Sequence, residues 1–362
     1  MTYWRAVAYV ESPLQLLSAI EAYGYGLLGT ETDLVIRDPH STIAPTLLAL
    51  KAIGLPAGLK VHMSKDSAPP AEAQDASSAR KKKTRPIEQR RSLSRSRGSS
   101  STYTPPSHKY LHVMGDPFSG QQQSGLLRHS NAHEIVILDD GLNTYAAIEA
   151  LAAQKPLIRP GQTLSPARKV LGLATTRALR NAAFAGQLTI FTAMPATERM
   201  LQHLDVLDAN VVFHEFPWIS AQPTSQAIEE DRVIVGSGFA ADELIDPDRY
   251  VEWVEDLAQD TTVRYLPHRR TPPSVLDQID AIDTVTVTAD NASVEVLLRG
   301  VRRGTEIHLL PTTALITLSS ILRGRGVSII PHAVPEDWWT DGTPDSLREF
   351  LSRPLELFES TI

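Results

Sequence analysis

Apolar residues along the first sixty positions come in short blocks that alternate between two spacings. "RAVAYVES" (5–12) has the length of a buried strand and runs into a turn. "PLQLLSAIEAYGYGL" (13–27) repeats its apolar positions at helical spacing, with Ser12 placed to cap it and Pro13 at its first position. "TDLVIRD" (32–38) predicts a second strand, and "TLLALKAIGLP" (46–56) a second helix stopped by Gly54 and Pro56. This β-α-β-α alternation predicts a parallel sheet covered by helices.

The pattern breaks over residues 64–109, which are rich in Ser, Pro and Arg and nearly free of large apolar side chains. Such a stretch cannot bury enough surface to offset its ordering entropy, so it is expected to be disordered. Alternation resumes with "KYLHVMGD" (109–116), "EIVILDDG" (134–141), the helical "TYAAIEALAA" (144–153), "GQLTIFTAM" (186–194), the helical "PATERMLQHL" (195–204) and "DANVVFHEF" (208–216). Residues 217–231 are polar with two prolines and read as a linker. A second α/β series runs from "RVIVGSG" (232–238) to "GVSIIPHA" (326–333), and "PDSLREFLSRPLELF" (344–358) reads as a closing helix. The expected organisation is an N-terminal lobe at 1–216 with the basic insertion at 64–109, a linker at 217–231, a C-terminal lobe at 232–335 and a closing segment at 336–362.

Composition narrows this picture. The 362 residues suffice for two α/β domains, and 42% are hydrophobic, enough to bury a core. With no cysteine, neither disulfides nor thiolate metal sites are available, which fits a reducing cytoplasm. The N-terminus lacks the pattern of a signal peptide, and no stretch reaches about 18 consecutive apolar residues. The net charge of −7 is uneven: residues 65–109 hold 11 Lys/Arg and 4 Asp/Glu, a local +7 that leaves −14 elsewhere. The basic segment is therefore a solvated insertion or a contact for an anionic membrane at the inner face. Nucleic acid is a poorer partner, because no aromatic residues interleave with the arginines.

Ligands of open parallel sheets bind beyond the carboxyl ends of the strands. Four predicted strand ends carry reactive side chains: "ESPLQLLSAIEA", "LDDGLNTY", "YLPHRRT" and "HLLPTTALITL". In the second, Asp139 and Asp140 precede Gly141. A carboxylate can take the proton of an attacking alcohol, and a like charge beside it raises its pKa. An ordinary Asx turn is the competing reading. In the third, His268, Arg269 and Arg270 form a cationic cluster suited to a phosphate. In the fourth, Thr312 and Thr313 precede an apolar helix, where hydroxyls and free N–H groups make an anion site. Ser319 and Ser320 fall inside that helix. Gly236 and Gly238 in "VGSGF" allow close backbone approach, but the pattern lacks the third glycine and the downstream acid of a dinucleotide site. Ser12, Pro13 and Gln15 sit at the first strand–helix turn. His112, His308 and His332 read as core or edge histidines. No cluster of His, Asp and Glu at ligand spacing stands out, so no metal site is expected.

The order and spacing of these stretches resemble the bacterial sialyltransferases that build lipooligosaccharide caps and polysialic acid capsules. Those enzymes carry an acidic pair before glycine, a His-Pro element in the second lobe and a Ser-Ser/Thr element after it. "MGDPFSG" and "VIVGSGFAADELIDPDRYVEWV" add to the likeness, which covers most of the chain outside the basic insertion. Here Arg269 replaces the proline and threonines replace the serines. The resemblance implies an α/β GT-B-like fold of two Rossmann-like lobes with parallel sheets and a central cleft. It implies a cytoplasmic, inverting, metal-independent glycosyltransferase that needs no cofactor and moves a sialic-acid-like sugar from a CMP-activated donor to a glycan hydroxyl. It further implies Asp139 or Asp140 as general base and His268, as imidazolium, at the leaving phosphate. Thr312, Thr313, Arg269, Arg270, Gly236 and Gly238 would hold the donor, with Glu295 on ribose hydroxyls. Ser12, Pro13 and Gln15 would line the sugar pocket. Another nucleotide sugar (CMP-Kdo or a UDP-hexose) and a non-catalytic nucleotide-binding relative remain open alternatives.

Overall fold

The computed structural model describes residues 5–64, 109–128, 132–159, 165–224 and 227–360. Apart from its two end residues, the basic insertion lies outside the described residues.

Seven strands form the first sheet: β1 (Ala6–Val10), β2 (Thr32–Ile36), β3 (Leu59–Met63), β4 (Tyr110–Met114), β5 (Ala132–Leu138), β6 (Leu188–Thr192) and β7 (Asn210–Phe213). They pair in the order β3-β2-β1-β4-β5-β6-β7, all parallel. The second sheet holds β8 (Arg232–Val235), β9 (Val263–Leu266), β10 (Val285–Val287), β11 (Glu306–Leu309) and β12 (Ser328–Pro331), in the order β10-β9-β8-β11-β12, again all parallel. The central strands β1, β2 and β4 read as near-continuous apolar runs because helices cover both faces. In each sheet the strand order reverses direction once, between β1 and β4 and between β8 and β11. Parallel sheets leave their ligand crevice beyond the strand ends at such a point. The architecture is α/β and GT-B-like: two Rossmann-like lobes.

The helices are α1 (Pro13–Gly24), α2 (Ala44–Ile53), α3 (Gly120–Arg128), α4 (Leu142–Ala152), α5 (Pro166–Phe184), α6 (Glu198–Leu207) and α7 (Pro217–Ala221), then α8 (Pro247–Leu257), α9 (Pro273–Asp280), α10 (Val294–Leu297), α11 (Ala314–Ile321) and α12 (Asp345–Glu359). Helix α1 starts as its sequence predicts: the Ser12 side chain accepts from Gln15 N, with Pro13 in the first turn. Strand β3 and helices α3 and α5 have no counterpart in the sequence reading.

The lobes are stitched together by α7, which lies in the expected linker. Glu21 on α1 is fully buried and accepts from Trp218 N and Ile219 N, both at 2.8 Å. At the other end Arg299 donates to Ile219 O and Gln222 O, and Arg325 to Ser220 O. A carboxylate at the amino end and guanidinium groups at the carboxyl end both complement the helix dipole. One apolar cluster continues through both lobes, from Leu16 and Ile20 to Leu309, Leu315 and Phe358. Helix α12 then crosses back: Leu357 packs in the first lobe's second cluster, and the Arg353 guanidinium lies over the Tyr145 ring.

Candidate active site

Asp139 and Asp140 close β5, but their side chains diverge. Asp139 is fully buried and points toward β6, where Oδ1 accepts from Gly141 N (3.2 Å) and Thr144 Oγ1 (2.7 Å) and Oδ2 accepts from Ala193 N (3.1 Å). Burial pushes its carboxyl up to about 6, against the pull of those donors. It is a brace for the loop, with both oxygens committed. Asp140 is only half-buried and turns toward α1. Gln15 Nε2 donates to its Oδ1 at 2.8 Å and Asn143 Nδ2 to its Oδ2 at 2.9 Å. Desolvation, and then the Asp116 charge, hold this carboxyl well above the usual range, with Gln15, Asn143 and Arg159 pulling the other way.

Gln15 is held in turn. Its Oε1 accepts from Glu11 N at 2.8 Å, and it is 2% exposed. A Cβ on Gly115 would sit 2.5 Å from that Oε1, so the glycine leaves the room the amide occupies. Ser12 and Pro13 serve the start of α1 beside it. Asp116, two residues after β4, is buried; its Oδ1 accepts from Phe118 N and its Oδ2 pairs with Arg159 at 2.5 Å. Asp116, Asn143 and Arg159 were not singled out from the sequence. The strand-end rule that found Asp140 applies equally to Asp116 in "MGDP". Arg159 lies in the loop after α4 and carries no such signal.

The second lobe meets this loop at Gly141. Its φ is +65°, and a Cβ there would lie 2.7 Å from Thr313 Oγ1. Thr313 stands at the head of α11 in helical geometry, and its side chain makes no cap bond. Thr312 contributes only its carbonyl, to Leu315 N. The helix start thus leaves the Thr313 hydroxyl uncommitted to capping. Ser319 and Ser320 lie within α11, as expected.

The glycines of "VGSGF" make room for the neighbouring loop. A Cβ on Gly236 would meet His268 N at 2.7 Å, and one on Gly238 would meet His268 Cε1 at 2.8 Å and Arg270 Nη2 at 2.9 Å. Their close approach is thus to the His268 loop, a role the sequence reading did not include. Burial, followed by the charges of Arg270 and Arg269, pushes the His268 imidazole down to about 4. Without a bound phosphate this favours the uncharged ring at neutral pH. Arg270 is tied to Asp242. Partial desolvation and Arg270 lower the pKa of the exposed Arg269, while Asp38 and Asp140 across the seam raise it. Arg269 thus carries positive charge toward the first-lobe carboxylates. Asp38 itself caps α2, accepting from Thr42 N, Ile43 N and Ala44 N.

Glu295, expected on a ribose, packs where α10 meets α11. It is 8% exposed, and its Oε1 accepts from Thr317 Oγ1 at 2.8 Å, which ties α10 to α11. His112 is fully buried, and His308 Nδ1 lies 2.9 Å from His332 Nε2 within the second lobe. Among the described residues, no group of three or more His, Cys, Asp or Glu is arranged to hold a metal ion. No helix among them is long and apolar enough to cross a membrane.

No family model and no curated protein matches this chain by sequence. Solved structures of similar shape span nearly all of it. An α/β-galactoside α-2,3-sialyltransferase from Photobacterium phosphoreum aligns over 98% of this chain and 95% of its own, at 9% identity and a TM-score of 0.44. UGT71G1 of Medicago truncatula, complexed with UDP-glucose, aligns over 98% and 89%, at 9% identity and 0.46. A UDP-glucose:anthocyanidin 3-O-glucosyltransferase in complex with UDP aligns over 100% and 96%, at 10% identity and 0.44.

Proposed function

We propose that the protein is an inverting glycosyltransferase that moves a sialic-acid-like sugar from a CMP-activated donor to a glycan hydroxyl. One observation carries the reading. The half-buried Asp140 with its raised pKa lies in a first-lobe loop that touches Thr313 and faces the charge of Arg269 in the second lobe. A proton acceptor and an anion-holding cluster on opposite walls of one seam are what a displacement at an activated sugar needs.

The acceptor hydroxyl loses its proton to Asp140 as its oxygen bonds the anomeric carbon. The bond from that carbon to the phosphate oxygen breaks on the opposite side, so the configuration inverts. The electron pair leaves with the phosphate of CMP. Arg269 supplies fixed positive charge there, and the Thr313 hydroxyl and the neutral His268 N–H supply hydrogen bonds. Gln15 and Asn143 hold the Asp140 carboxylate in place. Asp139 stays out of the chemistry and keeps the loop in shape.

A thermal-shift panel of CMP, UDP and GDP tests the donor. Stabilisation by CMP above the others supports this reading. Stabilisation by UDP alone transfers the same mechanism to a UDP-sugar, and none from any nucleotide removes it. The second step measures CMP release from CMP-sialic acid with acceptor in Asp140→Asn and His268→Ala.

A further inference from the structure

Helices α3 and α5 pack against each other on the first lobe. Together they hold five Lys/Arg (Arg128, Arg168, Lys169, Arg177, Arg180) and no Asp or Glu, in a chain whose charge is −14 outside the basic insertion. Among the described residues, none of the five pairs with a carboxylate. Arg168 donates to Phe118 O and Gln123 Oε1, Arg180 to Leu151 O, and Arg128 to Ser124 O. These partners are neutral, so the positive charge stays uncompensated. In the second lobe, by contrast, Arg232, Arg249, Arg264 and Arg302 each lie against a carboxylate.

Apolar side chains stand among the cations. Val170 is 68% exposed and Phe184 57%, and Leu127 on α3 is exposed as well. Seven residues make nearly two helical turns, so Val170, Arg177 and Phe184 form one line along the outer side of α5, roughly 21 Å long at 1.5 Å per residue. A purely solvated face would carry polar side chains at 170 and 184. The Arg180 guanidinium lies over the Phe184 ring at 5.2 Å, so the charge and the apolar surface are contiguous.

This mixture selects the partner. The phosphates of a nucleic acid or the carboxylates of an acidic protein would answer the cations but leave Val170 and Leu127 in water. The surface of an anionic bilayer takes both: headgroup phosphates meet the cations, and the apolar side chains enter the acyl boundary. The amino end of α5 is bonded through Arg168 to the loop that follows β4, and the same loop carries Asp116. A membrane along this face therefore lies beside the strand ends of the first lobe.

We propose that the outer face of α3 and α5 docks on an anionic lipid surface. It is separate from the basic insertion and independent of the transferase reading. The full chain is co-sedimented with vesicles of phosphatidylcholine alone and of equal parts phosphatidylcholine and phosphatidylglycerol. It should bind the anionic vesicles in preference to the neutral ones, and less at high salt. Lys169→Gln with Arg177→Gln should weaken binding at least about tenfold, the worth of two cations at a charged surface. Val170→Ser with Phe184→Ser should weaken it by a similar factor, the scale of two apolar side chains withdrawn from water. All four residues are exposed, so the melting temperatures should stay at the parent value. Lys81→Gln, Lys82→Gln and Lys83→Gln together are the control and should keep most of the binding. No preference for anionic vesicles, unchanged binding in both α5 variants, or loss in the triple-lysine variant alone overturns the proposal. Weakening in the charge variant with no change in the apolar one overturns the lipid assignment and leaves a nucleic acid or an acidic protein as the partner.

Discussion

Gly141 of the acid loop and Thr313 at the head of α11 touch across the two lobes, with no space between them for even a methyl group. Any side chain at 141 strains a backbone at φ +65° and strikes the threonine as well. Gly141→Ala should therefore cost about 1–2 kcal/mol of stability, from the left-handed conformation. It should also wedge the seam and lower turnover by more than Thr313→Ala, which keeps the seam closed. Denaturant unfolding beside CMP-release rates checks both parts.

The two aspartates should fail differently. Asp140→Asn keeps hydrogen bonding to Gln15 possible and relieves a half-buried charge near Asp116, so the fold should be as stable as the parent or more so. Activity should fall by about 10²–10⁴, the usual worth of a general base. Asp139→Ala strands the Gly141 and Ala193 N–H groups and should cost about 2–4 kcal/mol in urea unfolding. A stable, inactive Asp139→Ala together with an active Asp140→Asn would reverse the roles assigned here.

Because desolvation and Asp116 raise the Asp140 carboxyl, its deprotonated, working form appears only well above the pH of about 4 at which an exposed aspartate ionises. The kcat/KM profile of the free enzyme should rise toward neutrality and flatten above it. Asp116→Asn removes the like charge, so the rising limb should move to lower pH. A limb that stays put in Asp116→Asn excludes Asp116 as the group that tunes the base.

His268 should titrate near pH 4 in the nucleotide-free protein. Removing a neighbouring cation raises it, so Arg269→Ala should move the imidazole signals upward in an NMR titration, as should binding of CMP. The same variant should weaken CMP binding by about tenfold, the loss of one charge-assisted contact. Arg269→Pro would show whether the proline at this place in the resembling enzymes can stand in for the guanidinium.

His214 also predicts an acid limit for the fold. Burial depresses its folded pKa to about 3, so its contribution to stability is present above the unfolded value of about 6.5. Below that, the unfolded chain takes a proton that the folded one refuses. This group alone should cost about 1.4 kcal/mol per pH unit between roughly pH 6 and pH 3. His214→Phe should flatten that part of the stability curve in urea titrations.

The sheets were legible because strands such as Ala6–Val10 and Arg232–Val235 are apolar runs bounded by turn residues, and the strand-end rule then led to Asp140, His268 and Thr313. The sequence reading passed over α5, whose 19 residues mix alanines with arginines and carry no sharp apolar stripe. It also passed over β3, whose exposed Lys60 and Met63 give it the pattern of an edge strand. Within the site, pattern could not choose between Asp139 and Asp140, because the choice depends on which side chain meets Ala193 and which meets Gln15. Nor could it show that Gln15 holds a carboxylate 125 positions away, or that the glycines of "VGSGF" serve His268. Those facts come from the tertiary approach of loops that share no local signal.

Helix α12 gives the molecule an order of assembly. Leu357 and Arg353 complete the packing around Tyr145 and Ile316, at the boundary of a lobe whose strands all lie before residue 214. During synthesis, the front half must wait on the ribosome with that face unsealed until residues 345–359 emerge. Early folding of the N-terminal half would therefore stop at a state with an exposed greasy flank, the kind of surface that nascent-chain chaperones hold.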